Sequence, residues 1–337
     1  MAVEVSAKAL AEGQGAAGHA VLLGDIGATN ARFALLTRGA LGSVAWIEVA
    51  QYPNFEDAVD ALLKSRFDGV EVSHAVLAVA GPVESGRCNF TNCSWTVDAR
   101  DIRKRFAFDT VRVVNDFEAT ALSLPHLGED DLYRVGGGRA VLHAPKVVLG
   151  PGSGLGVAGL VGDEGRWIVV PSEGGHATIA ATTRREDTIL AYLRERFGHV
   201  SAERILSGPG LENLYKAIAA VDGVPAPLGN PVEITNAALE ASCPAACAAL
   251  DLFCAMLGSF AGNVALTYGA RGGVYIAGGI APRVLRHLSN STFRQRFEQK
   301  GRMTSYLEAI PTQVIVHPTA TFLGLRSLAG ADASGRS

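Results

Sequence analysis

From residue 21 onward, short β-branched runs alternate with amphipathic stretches, and the change of period marks out the elements. Val21-Leu22-Leu23 predicts a strand, Gly24-Asp25-Ile26-Gly27-Ala28-Thr29-Asn30 a glycine turn, and Arg32 to Leu36 a second strand. A further strand is expected over Val44 to Val49, then a helix over Asn54 to Arg66 with Ala58, Leu62 and Leu63 on its apolar side. His74 to Ala80 is a buried-strand run stopping at Gly81-Pro82, and Asp98 to Phe106 reads as a helix. Val111-Arg112-Val113-Val114 predicts one more strand, and Glu118 onward a helix of small and apolar residues. Asn115 and Asp116 stand at that junction.

Pro125 to Ala144 reads as a loop, and with it the first domain ends. A second strand, glycine turn, strand unit follows: Val147-Val148-Leu149, then Gly150 to Gly156, then Val157 to Val161. It echoes residues 21–36, so both halves are read as one plan used twice. Helices are expected over Arg184 to Phe197, Gly210 to Ala220, Ile234 to Ala241 and Ala245 to Tyr268; the last is apolar nearly all round and therefore predicted buried. Gly273 to Ala277 is a buried strand ending at Gly278-Gly279; Gln313 to Val316 is the last strand, and Leu323 to Leu328 a short terminal helix. The sum is an α/β chain of mixed sheets covered by helices.

A length of 337 residues admits two domains. With 48% hydrophobic and 19% charged residues the composition is that of a folded protein, and a net charge of −3 carries no footprint for nucleic acid or an anionic membrane. No apolar run reaches membrane-spanning length without charge or glycine interrupting it. Residues 1–20, rich in Ala and Gly, lack the order of a signal peptide and are read as a mobile tail. The five cysteines form no paired framework and no zinc set, which favours reduced thiols in the cytoplasm.

Candidate chemistry sits at the glycine breaks. Phosphate oxygens are best held by converging backbone N–H groups, and four glycines in the seven residues Gly150 to Gly156 exceed what a hairpin needs; positive φ is expected there. Asp25 is a natural Mg²⁺ partner, directly or through water, and the Thr29 hydroxyl a phosphate donor. A P-loop is excluded because no Lys-Ser or Lys-Thr follows the glycines. Neither turn fits G-x-G-x-x-G, and Pro151 excludes a G-x-S-x-G elbow. In Glu173-Gly174-Gly175-His176 the glycines argue against a helix and against a facing i,i+3 pair. On a turn, a carboxylate and an imidazole together match the hydroxyls of a sugar. Glu203 read alone is a helix first-turn charge. Gly278-Gly279 lets a ring or a phosphate approach the backbone, Asn92 is a further polar candidate, and Trp95 is more often core than sugar platform. Asn115 and Asp116 read alone are helix caps, but they also project where open α/β sheets place ligands.

Taken together, GDIGATNAR, VVNDFEA, GPGSGLGVA, PSEGGH, ERILSGPGLENLY and VYIAGGI resemble the bacterial glucokinases of the proteobacterial type, within the hexokinase, Hsp70 and actin superfamily. The resemblance runs from about Val21 to Leu328. It implies a two-domain, RNase H-like α/β fold with an interdomain cleft that closes on sugar, residues 21–126 plus 317–330 forming the smaller domain and 127–316 the larger. It implies phosphorylation of D-glucose at the 6-hydroxyl by ATP with Mg²⁺, and Asp116 as catalytic base. Asn115, Glu173, His176 and Glu203 would hold the sugar's remaining hydroxyls, with Asn92 kept beside them as a substrate-binding candidate from the residue reading. Gly24, Asp25, Ile26, Gly27, Ala28 and Thr29, with Gly152, Ser153 and Gly154, would meet ATP phosphates; Gly278 and Gly279 would lie by the adenosine. Asp25 would take Mg²⁺ through water. Homodimers are common in that family.

Two departures stand out: Ala28 replaces the usual second glycine of the first turn, and His317-Pro318-Thr319-Ala320 differs from the expected form. Rival readings are a broader hexose kinase or one of the repressor-and-kinase (ROK) type, whose C-x-C-G-x-x-G-C zinc cluster is absent here, and a non-catalytic sugar sensor. The sensor lacks room for a helix-turn-helix before the first strand.

Overall fold

The computed structural model describes residues 20–90, 93–163 and 166–333. Asn92 and the first 19 residues of the expected tail lie outside them. The chain divides into two units, residues 1–126 with 319–337 and residues 127–318.

In the first unit β1 (Ala20–Ile26), β2 (Asn30–Thr37), β3 (Ala40–Leu41) and β4 (Ala45–Glu48) lead to α1 (Phe55–Arg66), capped by the Asn54 carboxamide oxygen accepting the Asp57 N–H. Then come β5 (Val72–Val79), β6 (Arg87–Asn89), β7 (Thr96–Asp98), α2 (Ala99–Phe106), β8 (Thr110–Asn115) and α3 (Asp116–Ser123). The sheet order is β3-β2-β1-β5-β8, with β4 also on β2. Strands β1, β5 and β8 are parallel, and β2 is antiparallel to β1. Alternate residues feed opposite faces. Leu22, Ile26, Leu77 and Val79 join Phe33, Phe55 and Trp95 in one core, whereas Leu23, Val76, Ala78 and Val114 face another.

The second unit begins with β9 (Leu132–Gly136), β10 (Lys146–Pro151), β11 (Leu155–Asp163) and β12 (Arg166–Ser172). Helices α4 (Arg184–Phe197), α5 (Gly208–Asp222), α6 (Pro231–Leu239) and α7 (Pro244–Tyr268) precede β13 (Val274–Ile276). Short helices α8 (Leu285–Asn290), α9 (Phe293–Glu298) and α10 (Thr304–Glu308) precede β14 (Thr312–Ile315). The order is β12-β11-β10-β13-β14-β9, with β10, β13 and β14 parallel. Apart from β9 this repeats the first sheet: an antiparallel meander, then two parallel strands. Helix α7 is long and apolar enough to cross a membrane, yet 78% of its most apolar window is buried inside the unit. Its Gly258 and Gly262 leave no room for a Cβ, which would stand 2.1 Å from the Phe293 carbonyl oxygen and 2.6 Å from that of Phe297.

The chain then returns to the first unit as α11 (Ala320–Ala333), which covers the second face of that sheet with Phe322, Leu325 and Leu328. Helix α11 crosses α3 so closely that a Cβ on Gly324 would lie 1.8 Å from the Ala119 carbonyl oxygen.

Four readings are corrected. The expected loop over 125–144 contains β9, an edge strand antiparallel to β14, whose pattern is obscured by the acidic single turn Glu129–Asp131 before it. Strand β12 and helices α8 to α10 were not expected. The terminal helix is longer than predicted. The two glycine turns shrink to Gly27–Thr29 and Gly152–Gly154, because Gly24 to Ile26 continue β1 and Gly150-Pro151 continue β10.

Candidate active site

In the first unit the parallel strands end in one row, since Ile26 pairs with Val79 and Val79 with Asn115. Chemistry-bearing residues follow each end, as expected at the carboxyl edge of such a sheet. After β5, the Ala80 N–H donates to the Ile26 carbonyl at 2.9 Å. After β8, the side chain of Asn115 is pinned at both ends: its Nδ2 donates to the Gly81 carbonyl at 3.0 Å and its Oδ1 accepts the Phe117 N–H at 2.9 Å. The Glu118 carboxylate reaches back to the Asn115 N–H, completing a capping box. Asn115 is therefore a cap and also a side chain held in one orientation. Asp116 opens α3; its Oδ1 accepts the Phe117 N–H at 3.0 Å and its carbonyl the Thr120 hydroxyl at 2.8 Å.

Asp25 is buried in β1 and ion-paired across the hairpin with Arg32. Burial pushes its carboxyl above the usual range, against the pull of Arg32 and the Thr321 hydroxyl. With a guanidinium already on it, this carboxylate does not suit bare inner-sphere coordination. No cluster of three or more metal-ligating side chains occurs among the described residues. The donor set fits a hydrated Mg²⁺ that arrives with phosphates and keeps most of its waters.

Neither shortened turn contains a residue at positive φ, contrary to expectation. Space decides only some of their glycines: a Cβ on Gly152 would meet no described residue within 4 Å and one on Gly27 would lie 3.2 Å from the Asn30 carbonyl oxygen, whereas one on Gly154 would lie 2.6 Å from Glu203 Oε2.

The second unit gathers its candidates around that last contact. Strands β10 and β13 end side by side, Leu149 pairing with Ile276. The Gly152–Gly154 turn is closed by the Gly152 N–H donating to the Gly154 carbonyl at 2.8 Å. Gly278 does have positive φ (80°), and a Cβ there would stand 2.4 Å from the Pro151 carbonyl oxygen, so the Gly-Gly exit of β13 lies against the base of the turn. Ser153 and Gly279 complete the two sets.

Glu203 lies on a turn before α5, so it is not the helix first-turn charge it resembles in sequence. Its Oε2 accepts the Leu155 N–H at 2.9 Å and its own N–H donates to the Gly175 carbonyl at 2.9 Å. Residues Gly174–His176 form one 3₁₀ turn. Positions three apart eclipse in that geometry, which brings Glu173 and His176 together despite the intervening glycines. The imidazole stands between two carboxylates, Nε2 3.8 Å from Glu173 Oε2 and Nδ1 3.9 Å from Glu203 Oε1. These separations exceed hydrogen-bond length, so the ring N–H and the carboxylate oxygens can engage a third group. Side-chain exposures of 68%, 60% and 33% for Glu173, His176 and Glu203 open the cluster to solvent.

Trp95 is core: it is buried, donates Nε1–H to the Tyr52 carbonyl at 3.0 Å and meets Phe55 edge-on. Sequence reasoning missed Gly81 and the Leu155 N–H. Only the Gly81-Pro82 strand stop hinted at the first, and nothing at the second. Beneath Gly81 lies Cys88, whose thiol is pushed up to about 11, first by burial and then by the charges of Asp116 and Cys93. It is a packing thiol, not a nucleophile.

The family model described as Glucokinase matches residues 22–331. The chain is 45% identical over 310 residues to a glucokinase of Paramagnetospirillum magneticum, covering 91% of this chain and 97% of that one. Against proteins of Paraburkholderia and Burkholderia named bifunctional, it spans about half the length of the relatives it matches. A crystal structure of glucokinase from an Antarctic psychrotroph superposes with a TM-score of 0.83 at 36% identity, covering 93% and 99% of the two chains. A ROK-family glucokinase from Streptomyces griseus, crystallised with glucose and AMPPNP, shares the fold with a TM-score of 0.61 at 20% identity, covering 92% and 98%.

Proposed function

Because the chain belongs to the glucokinase family, we propose that it transfers the terminal phosphoryl group of ATP to the 6-hydroxyl of D-glucose, giving glucose 6-phosphate and ADP. The observation that carries the reading is the Asn115-Asp116 pair, set at the carboxyl end of β8 with its carboxamide fixed. Asp116 is the base: it orients the 6-hydroxyl and takes its proton as the bond to phosphorus forms. An ordinary carboxylate suffices, because the transition state of phosphoryl transfer is loose and calls for positioning more than basicity.

Asn115, Glu173, His176 and Glu203 hold the remaining hydroxyls, and Asn92 joins them in the proposal. The N–H groups of Gly27 to Thr29 and Gly152 to Gly154 meet phosphate oxygens, and Gly278-Gly279 accommodates the adenosine. Mg²⁺, held through water by Asp25 and by the phosphates themselves, would neutralise charge on the transferred group. ATP as donor is favoured by the nucleotide analogue named for the Streptomyces griseus enzyme. A cytoplasmic homodimer belongs to the same reading and is tested by sedimentation at micromolar concentration.

The decisive experiment is a coupled assay of the pure protein across hexoses and donors. The proposal expects glucose with ATP and Mg²⁺ to give the highest kcat/KM. No phosphorylation of any hexose would leave the sensor reading standing instead.

A further inference from the structure

We infer that Gly81 is a positioning residue for the sugar-phosphorylation site, and that the Cys88 side chain is the wall that requires it to be glycine. The inference rests on the kinase reading above and deepens it. The Gly81 carbonyl accepts the Asn115 Nδ2–H at 3.0 Å, while the other end of the same carboxamide caps α3 at Phe117, one residue beyond Asp116. The orientation of Asn115 is therefore fixed from outside its own helix, by a carbonyl on the segment that leaves β5.

That segment has little freedom. Its Ala80 N–H is bonded to Ile26 at the end of β1, and the Gly81 N–H turns back to the Val79 carbonyl at 3.0 Å. Gly81 is not at positive φ, so alanine suits its backbone conformation. Among the described residues, one atom stands in the way of a side chain: a Cβ would lie 2.9 Å from Cys88 Sγ, with no other described atom within 4 Å. Cys88 is 1% exposed on the β6–β7 hairpin, so close packing confines the single χ1 rotation that would move its sulfur. A methyl group at 81 must displace its own carbonyl or the hairpin, and displacing the carbonyl releases Asn115.

The test is a cycle of Gly81→Ala, Cys88→Ala and the double variant, read as kcat and KM for glucose and for ATP well below each variant's Tm. Gly81→Ala with Cys88 in place is expected to lower kcat/KM for glucose about tenfold or more while KM for ATP moves less than twofold. In the Cys88→Ala background the same substitution is expected to cost less than threefold, because the obstructing atom is gone. An equal loss in both backgrounds, or no loss in either, overturns the inference. So does a change confined to Tm with kinetic constants intact, since that is a merely structural role.

If Gly81→Ala does not fold, the Gly81→Ala/Cys88→Ala double variant against Cys88→Ala carries the test. A double variant that folds and keeps kcat/KM for glucose within about threefold of Cys88→Ala supports the inference, and one that fails to fold or loses about tenfold with the obstructing atom gone overturns it. An inactive wild-type protein would sink the kinase reading itself, a result distinct from all of these.

Discussion

At residue scale the proposed chemistry rests on a single carboxylate, that of Asp116. Asp116→Asn keeps the acceptor for the Phe117 N–H and removes the base, so it is expected to lower kcat by about 10²-fold or more while glucose still binds. Calorimetric titration of glucose beside turnover measures both, and near-normal turnover would remove Asp116 from the role. Glu203 has two duties that substitution can separate. Glu203→Gln retains an oxygen for the Leu155 N–H but loses the charge facing His176, so KM for glucose should rise roughly tenfold, in line with the worth of one charge-assisted hydrogen bond. Glu203→Ala also releases the strand leaving the Gly152–Gly154 turn, and KM for ATP should rise with it. If the two variants behave alike for ATP, the turn does not depend on this side chain. Residues of this kind were visible in sequence where the period changed, as at Asn115-Asp116. The partners that orient them, Gly81 and the Leu155 N–H, are backbone groups, and no side-chain pattern reports a backbone group.

Between elements, the closest approach is α11 on α3. Gly324→Ala drives a methyl group into the Ala119 carbonyl and is expected to cost about 1–3 kcal/mol or more. Gly330→Ala, on the same helix but with no described atom within 4 Å, should be neutral or stabilise by up to about 1 kcal/mol. Thermal unfolding of the two single variants checks the contrast, and equal Tm values would mean that the helices do not cross as described. This contact also marks what the sequence could not disclose. The repeated strand, turn, strand pattern at 21–36 and 147–161 was legible, because β-branched runs flanking glycines are a local signal. The true length of the turns was not, since Gly24 pairs within β1 with Phe33 of β2 and Leu77 of β5, and only that tertiary packing fills the space a side chain would take. Strand β9 followed an acidic turn and carried too few apolar residues to announce itself. Strand β12, on the sheet edge with Pro171 near its end, and the six-residue helices α8 and α9 are likewise too exposed or too short to show a period.

On the scale of the whole molecule, the second unit is tied internally by one buried ion pair. Arg296 of α9 donates to both Glu186 oxygens (2.7 and 3.1 Å) and to Ser259 of α7, so α4, α7 and α9 meet at one guanidinium. Burial works to raise the Glu186 carboxyl, but the Arg296 guanidinium and the Thr182 N–H and hydroxyl outweigh it and hold it below its ordinary value of 4.5. For a group depressed in the folded state, the stabilisation is fully present above the unfolded value and is lost as pH falls through the folded one. Stability should thus fall below about pH 4.5 on account of this pair. Glu186→Gln should flatten that part of the profile, and Glu186→Ala should cost about 3–5 kcal/mol at neutral pH by stranding Arg296. Denaturant titrations between pH 3 and 7 decide the matter, and an unchanged acid limb in the Gln variant would exclude the pair as its source.

Helix α11 has a consequence for when this protein becomes a working object during synthesis. The face of the first sheet on which α3 lies lacks Phe322, Leu325 and Leu328 for as long as residues 127–318 are being made. A ribosome-tethered chain stopped short of residue 319 should therefore hold a finished second unit beside an unfinished first one, greasy on one side and unable to turn over substrate. Turnover by the nascent chain is expected to appear only once Phe322, Leu325 and Leu328 can dock on that face.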